Sequence, residues 1–279
     1  MRDQIEEKQK ALERHLAALH RALVAYSGGV DSAYLAYVAH RVLGDNALAV
    51  IADSPSLART QLADAVAFAR EQDFALEIIS THEVNRPDYM RNDRDRCFYC
   101  KDELFRSMEE LGRARSFAAI IYGMNLDDLG EYRPGQAAAR EHKVIAPLVE
   151  ARLSKANIRE LARAAGLRLW DKPASACLSS RVEYGRAVTP DLLRTVEQGE
   201  EAMHRLGFRQ CRVRHHGPMV RIEIAQEELA RALNSEIAAE LARIFKALGF
   251  KFVTLDLEGF RSGSMNALLP LANLTRKAS

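Results

Sequence analysis

Three groups of residues in this 279-residue chain have types and spacings that could do chemistry. A small, hydroxyl-rich turn, "AYSGGVDSAY" (25–34), stands where an apolar run ends. Cysteines occur in "RCFYCK" (96–101) and "KPASACLSSR" (172–181). Two arginines stand two apart in "RVRHH" (212–216).

The turn is suited to an anion. A helix that follows it would offer unpaired N–H groups and a partial positive charge. Gly28 and Gly29 let the backbone wrap closely, so that successive N–H groups converge. Ser27 and Ser32 add hydroxyl donors, and Asp31 can hold a cation that bridges phosphate oxygens. No GKS or GKT follows, so this is not a Walker A loop, and GxGxxG is absent too. The bland alternative is a strand-to-helix turn with serine capping.

The cysteines have several readings. Cys97 and Cys100 form a C-x-x-C, which fits a redox pair, although such a pair belongs near the start of a helix after the first strand. Zinc would want four ligands, and Cys97, Cys100 and Cys177 supply three. Burial as small hydrophobes is the third reading. Cys177 has Lys172, Ser175, Ser179, Ser180 and Arg181 as sequence neighbours, and cations and hydroxyls favour a thiolate. Lys101 could stabilise thiolate or sulfide charge. Cys211 reads as packing, with a sulfur relay as its one functional alternative.

Arg212 and Arg214 share one face of a predicted strand, where two guanidinium forks suit a phosphate. A solvated strand face is the alternative. Ser180 and Arg181 could clamp the same phosphate or an adenylate. In "NLDD" (125–128) Asp128 is the residue to meet substrate, cation or a neighbouring arginine, and an acidic helix cap is the bland alternative. His215 and His216 are given no role.

These residues need a frame. Helix patterns run over about 4–23, 32–44, 58–72, 101–114 and 154–166, with Gly44 as a stop and Ser154 as an N-cap. Between them lie continuous apolar runs, "ALVAY" (22–26), "ALAVIA" (47–52), "FALEIIS" (74–80) and "FAAIIYG" (117–123). Unbroken apolar strands alternating with helices predict an α/β fold with a parallel sheet covered on both faces. The pattern changes after about Arg181. A helix (189–208) capped by Thr189 with Pro190 first, an antiparallel hairpin through "HGP", a helix (235–248) and a strand (251–257) predict a smaller α+β domain. The expected division is 1–185 and 186–279.

The composition, 48% apolar and 28% charged, is that of an ordinary globular chain. A net charge of +2 argues against a dedicated nucleic-acid binder. The charged N-terminus lacks the apolar centre of a signal peptide, and no apolar run approaches the roughly 18 residues of a membrane span. A cytoplasmic location, with no membrane partner, is expected. In a reducing compartment the four cysteines are reactive or metal-binding rather than disulfide-forming.

SGGVDS resembles the pyrophosphate-binding loop of the PP-loop (adenine nucleotide α-hydrolase-like) ATPases, which split ATP between the α- and β-phosphates. The resemblance implies that Ser27, Gly28, Gly29, Val30, Asp31 and Ser32 hold the pyrophosphate of ATP with Mg²⁺ nearby. It places Ala52 and Gly123 beside the adenosine. With ACLSSR, "GMNLDDLGEYRPG" (123–135) and the RVR strand, the chain is similar to the LarE family from about Val24 to near Leu255. Those enzymes are ATP-dependent sulfurtransferases that make the nickel-pincer nucleotide of lactate racemase. The likeness implies adenylation of pyridinium-3,5-biscarboxylate mononucleotide and conversion to thiocarboxylates. It gives Arg212 and Arg214 the substrate phosphate, with Glu200 and Glu223 near that site. Cys97, Cys100 and Cys177 match the three-cysteine members, which carry a [4Fe–4S] cluster. Other members sacrifice one cysteine, matching Cys177. A tRNA thiolase, an ammonia-using synthetase and a non-catalytic ATP-binding module are the competing classes. The resemblance further implies a homo-oligomer, hexameric in the family pattern, fed by a sulfur-donor protein or small-molecule sulfide.

Overall fold

The computed structural model describes residues 2–130, 134–173 and 175–261. Residues 131–133 of the "GMNLDDLGEYRPG" stretch and residue 174 of "KPASACLSSR" lie outside them. The chain forms two compact units, residues 1–83 with 97–175, and residues 84–96 with 176–279. Their elements in chain order are α1 (Arg2–Ala17), β1 (Ala22–Ala25), α2 (Val30–Leu43), β2 (Ala47–Asp53), α3 (Arg59–Glu71), β3 (Leu76–Ser80), α4 (Pro87–Met90) and α5 (Arg96–Arg115). After these come β4 (Ala119–Tyr122), α6 (Pro134–Glu141), α7 (Pro147–Glu150), α8 (Lys155–Ala164), α9 (Pro190–Arg205), β5 (Cys211–His216), β6 (Met219–Ile224), α10 (Leu229–Ala232), α11 (Ser235–Ala247) and β7 (Phe252–Leu255).

The first unit is built on a parallel sheet of order β3-β2-β1-β4. β1 shows why its run is apolar throughout. Successive strand residues point to opposite faces. Ala22 and Val24 join one core, with Leu12, Leu16 and Leu35. Leu23 and Ala25 join another, with Leu104, Phe105 and Met108. Both faces are therefore covered, and no alternating polar residue is tolerated. The carboxyl ends of β1, β2 and β4 open onto residues 26–29, 54–58 and 123–128.

In the second unit β5 and β6 form the expected antiparallel hairpin, while β7 runs parallel to β6. The Thr189 hydroxyl accepts from the Leu192 N–H, and Pro190 opens α9. Ser154 likewise caps α8, and Gly44, at φ 57°, ends α2.

Some boundaries differ from the sequence pattern. α1 stops at Ala17 because the chain turns at His20, which takes φ 58°. α5 begins at Arg96, so the C-x-x-C lies inside the helix rather than before it. α6 was not expected. Residues 84–96 join the second unit because their side chains hold its 177–183 loop. Among the described residues, no helix is long and apolar enough to cross a membrane.

Candidate active site

The turn after β1 is held in shape from several sides. Gly28 takes φ +71°, and a Cβ there would lie 2.8 Å from the Ala65 Cβ. Only glycine satisfies both demands. Gly29, at φ −79°, is the N-cap of α2 and has no side-chain cap. Ser32 Oγ accepts from the Ser27 N–H (3.1 Å), donates to the Gly29 carbonyl (3.1 Å) and lies 3.0 Å from Ser27 Oγ. Ser32 is thus buried and braces the turn. Val30 is buried as well, and it enters the loop through its backbone.

Asp31, on the first turn of α2, accepts from Lys155 Nζ (2.5 Å) and Asn125 Nδ2 (3.3 Å) through Oδ2. Its Oδ1 is buried without a hydrogen-bond partner among the described residues. Burial pushes the carboxyl above its ordinary range despite Lys155, and the Asp128 charge adds to the push. A buried acceptor with no donor among the described residues, at the start of α2, fits a divalent cation.

Asn125 and Asp128 form a reciprocal cap on the 126–128 turn. The Asn125 side chain accepts from the Asp127 N–H (2.9 Å), and Asp128 Oδ2 accepts from the Asn125 N–H (3.1 Å). The acidic cap, the bland reading of this stretch, is therefore present. Asp128 reaches the Asp31 neighbourhood as a charge. Gly123 serves packing directly, since a Cβ there would meet Ser32 N at 2.7 Å and Ser32 Cα at 2.8 Å. Ala52 is half-buried near the end of β2.

Cys97 is exposed and Cys100 partly buried, three residues apart on the first turn of α5. They share a helix face. Lys101 Nζ lies 5.9 Å from the Phe105 ring centroid. Cys177, in the second unit, is partly buried. Its carbonyl accepts from Ser180 N–H (3.0 Å), Ser180 Oγ (2.7 Å) and Arg181 Nη1 (2.9 Å). Three cysteines supply the donor type of an iron–sulfur site. Among the described residues, no three His, Cys, Asp or Glu side chains are gathered as metal ligands. Cys211 is buried, and burial followed by the Glu200 charge pushes its thiol up to about 12. It stays protonated, as packing requires.

Arg181 is more deeply committed than its sequence position suggested. Its side chain is 2% exposed. Its Nε and Nη2 donate to Glu200 (2.9 and 3.1 Å), and its Nη1 donates to the Ala176 carbonyl (2.5 Å). It shapes the Cys177 loop from within. Ser179 Oγ lies 2.6 Å from the Tyr89 hydroxyl, and the Ser179 carbonyl accepts from Arg96 (2.8 Å). Asn92 donates to the Val182 and Glu183 carbonyls. Arg96, Tyr89 and Asn92 were not singled out in the sequence. Arg96 had one signal, its place directly before Cys97.

Arg212 and Arg214 do share a face of β5, because Cys211 and Val213 turn inward. Arg214 donates to Glu223 (2.7 Å) and the Ser180 carbonyl (3.1 Å). Arg221 also meets the fully buried Glu223 (3.0 Å). Arg212 lies over the Phe260 ring, 4.9 Å from its centroid. Burial, and then the Arg181 and Arg214 charges, lower its affinity for its proton despite Glu200. Burial first, with Arg186 on His215 and Arg221 on His216, lowers both histidines and favours neutral rings.

Residues 5–128 match the NAD synthase family. An uncharacterized protein of Synechocystis sp. is 43% identical over 265 residues, which is 95% of this chain and 99% of that one. The pyridinium-3,5-bisthiocarboxylic acid mononucleotide synthase of Lactiplantibacillus plantarum is 34% identical over 270 residues, 96% of each chain. An uncharacterized protein of Methanocaldococcus jannaschii is 27% identical over 242 residues, 87% of this chain and 91% of that one. With the parallel sheet and its glycine turn, these matches define an enzyme, an ATP-dependent sulfurtransferase of the PP-loop class. The chain belongs to the LarE family, that of the pyridinium-3,5-bisthiocarboxylic acid mononucleotide synthase.

Proposed function

We propose that the enzyme adenylates a carboxylate of pyridinium-3,5-biscarboxylate mononucleotide and replaces AMP with sulfur, twice over, to give the dithiocarboxylate used in the nickel-pincer nucleotide. The full-length likeness to the L. plantarum synthase carries this reading. In the first step a carboxylate oxygen attacks the ATP α-phosphorus and pyrophosphate leaves. The backbone N–H groups at the start of α2 take the pyrophosphate charge, with Ser27 adding a hydroxyl. Asp31, with Asp128 near it, would hold Mg²⁺. Ala52 and Gly123 border the adenosine, where strands of an α/β sheet end. Arg212 and Arg214 hold the substrate phosphate, with Glu200 and Glu223 fixing the guanidinium groups and Ser180 and Arg181 shaping the cysteine loop.

In the second step a sulfur nucleophile attacks the acyl carbon and AMP leaves, carrying away the bond electrons. Cys97, Cys100 and Cys177 would hold a [4Fe–4S] cluster, which supplies transferable sulfide when bound. Chain connectivity supports this. Arg96 immediately precedes Cys97, and its side chain is bonded to Ser179, two residues past Cys177. A second reading makes Cys177 Sγ the donor itself, and the three hydrogen bonds on the Cys177 carbonyl favour it.

Anaerobic purification with iron and sulfide analysis separates the two. Near four irons per chain, lost on Cys97→Ala, Cys100→Ala or Cys177→Ala, is expected. Absence of iron after reconstitution, with loss of the elements of H₂S from Cys177 during reaction, would establish the second reading. Absence of both would overturn sulfur transfer by these cysteines.

A further inference from the structure

In the sequence Lys172 stood out only as a neighbour of Cys177. Its ammonium is bonded within the first unit, donating to the Gly28 carbonyl (3.1 Å) and to the Asp64 carboxylate. We propose that Lys172, anchored by Asp64, is a positioning residue that orients the Gly28–Gly29 peptide of the anion-binding turn. This rests on the reading that the turn holds the pyrophosphate of ATP.

The geometry supplies the reason. No described peptide bond is cis. In a trans peptide the C=O and the following N–H point in opposite directions. Drawing the Gly28 carbonyl toward Lys172 therefore turns the Gly29 N–H the other way. Gly28 sits at φ +71°, where glycine has many alternatives, so the peptide needs an external hold. The hold is well founded. Arg168 donates to the Asp64 carboxylate (2.7 Å) and to the Asp64 carbonyl (3.1 Å). Arg168 also reaches Glu71 at the end of α3 (2.8 Å). Burial works against the Asp64 charge, but its bonds to Lys172 and Arg168 keep the carboxyl below its ordinary range. The next residue, Ala65, faces Gly28 and accepts from the Tyr26 hydroxyl (3.0 Å). The Lys172 backbone is itself pinned, its carbonyl accepting from Arg159 (2.8 Å).

Calorimetric titration of the full chain with inorganic pyrophosphate and Mg²⁺ tests this, alongside ATP–pyrophosphate exchange kinetics. Lys172→Met is expected to weaken pyrophosphate binding about tenfold or more. KM for ATP should rise in parallel. Lys172→Arg, which can reach both acceptors, should recover most of the affinity. Should Lys172→Met fail to fold, Asp64→Asn, which keeps an acceptor for Arg168, carries the same expectation. Wild-type affinity in a folded Lys172→Met or Asp64→Asn protein overturns the positioning role alone. Failure of the wild-type protein to bind pyrophosphate overturns the reading of the turn, and this role with it.

Discussion

Arg181→Met should destabilise the second unit severely, and the structure gives the size. The guanidinium is buried and spends its nitrogens on Glu200, Ser180 Oγ and the carbonyls of Ala176 and Cys177. Its removal strands a Glu200 carboxylate that is only 12% exposed. The Val213 N–H, at 3.2 Å, then remains as a donor to that carboxylate. Breaking a buried pair from one side costs ~3–5 kcal/mol. That is a large share of the ~5–15 kcal/mol that a folded protein has. Replacing both partners, as in Arg181→Met with Glu200→Leu, removes the stranded charge. What remains are a Val213 N–H and an Ala176 carbonyl that have lost these partners, at ~1–3 kcal/mol each, and the carbonyl has lost its partner in the single variant as well. The double variant should therefore be more stable than the single one. It should still transfer sulfur poorly, because the Cys177 carbonyl has lost its guanidinium. Urea unfolding gives the stabilities, with midpoints compared at constant m. A single variant within ~1 kcal/mol of wild type would refute the reasoning, as would a double variant that is no more stable than the single one.

Two further outcomes follow from other parts of the chain. Gly123→Ala places a Cβ against the Ser32 backbone, which cannot yield as a flexible side chain would. It should shift the first turn of α2 and raise KM for ATP about tenfold, with a stability loss of ~1–3 kcal/mol; unchanged ATP kinetics would count against the close approach. His142 lies between Glu109 (2.8 Å) and Asp102 (3.0 Å), and despite partial burial these carboxylates raise its affinity for a proton. The folded state then holds the proton more tightly than the unfolded one, so this stabilisation is complete below about pH 6.5. It should disappear as pH rises through the raised folded value. His142→Gln should abolish that part of the pH dependence in thermal melts, and an unaltered profile would contradict the bridge.

The turn was legible because it depends on local chemistry. Glycines, hydroxyls and an aspartate between an apolar strand and a helix can be read without knowing what packs behind them. The two-faced burial of β1 was legible for the same reason, since one run of residues carries the pattern. What braces these features was not. Lys155 reaches Asp31 across 124 residues, and Lys172 reaches Gly28 across 144. No spacing in the sequence marks such pairs. Arg181 shows a second limit. Its residue type suggested a phosphate clamp, yet burial and Glu200 turn it into a support for the cysteine loop. The sequence could show an arginine near Cys177, but not that a carboxylate 19 residues later would claim it. The segment 84–96 carries no repeat or composition shift, and the hydrogen bonds of Tyr89, Met90, Asn92 and Arg96 show which unit it supports.

The most direct measurement is product analysis by mass spectrometry. Anaerobically purified protein would be incubated with pyridinium-3,5-biscarboxylate mononucleotide and MgATP. The account predicts AMP and pyrophosphate in step with a nucleotide in which sulfur has replaced a carboxylate oxygen. ADP in place of AMP, or AMP with no sulfur-bearing product, would contradict it.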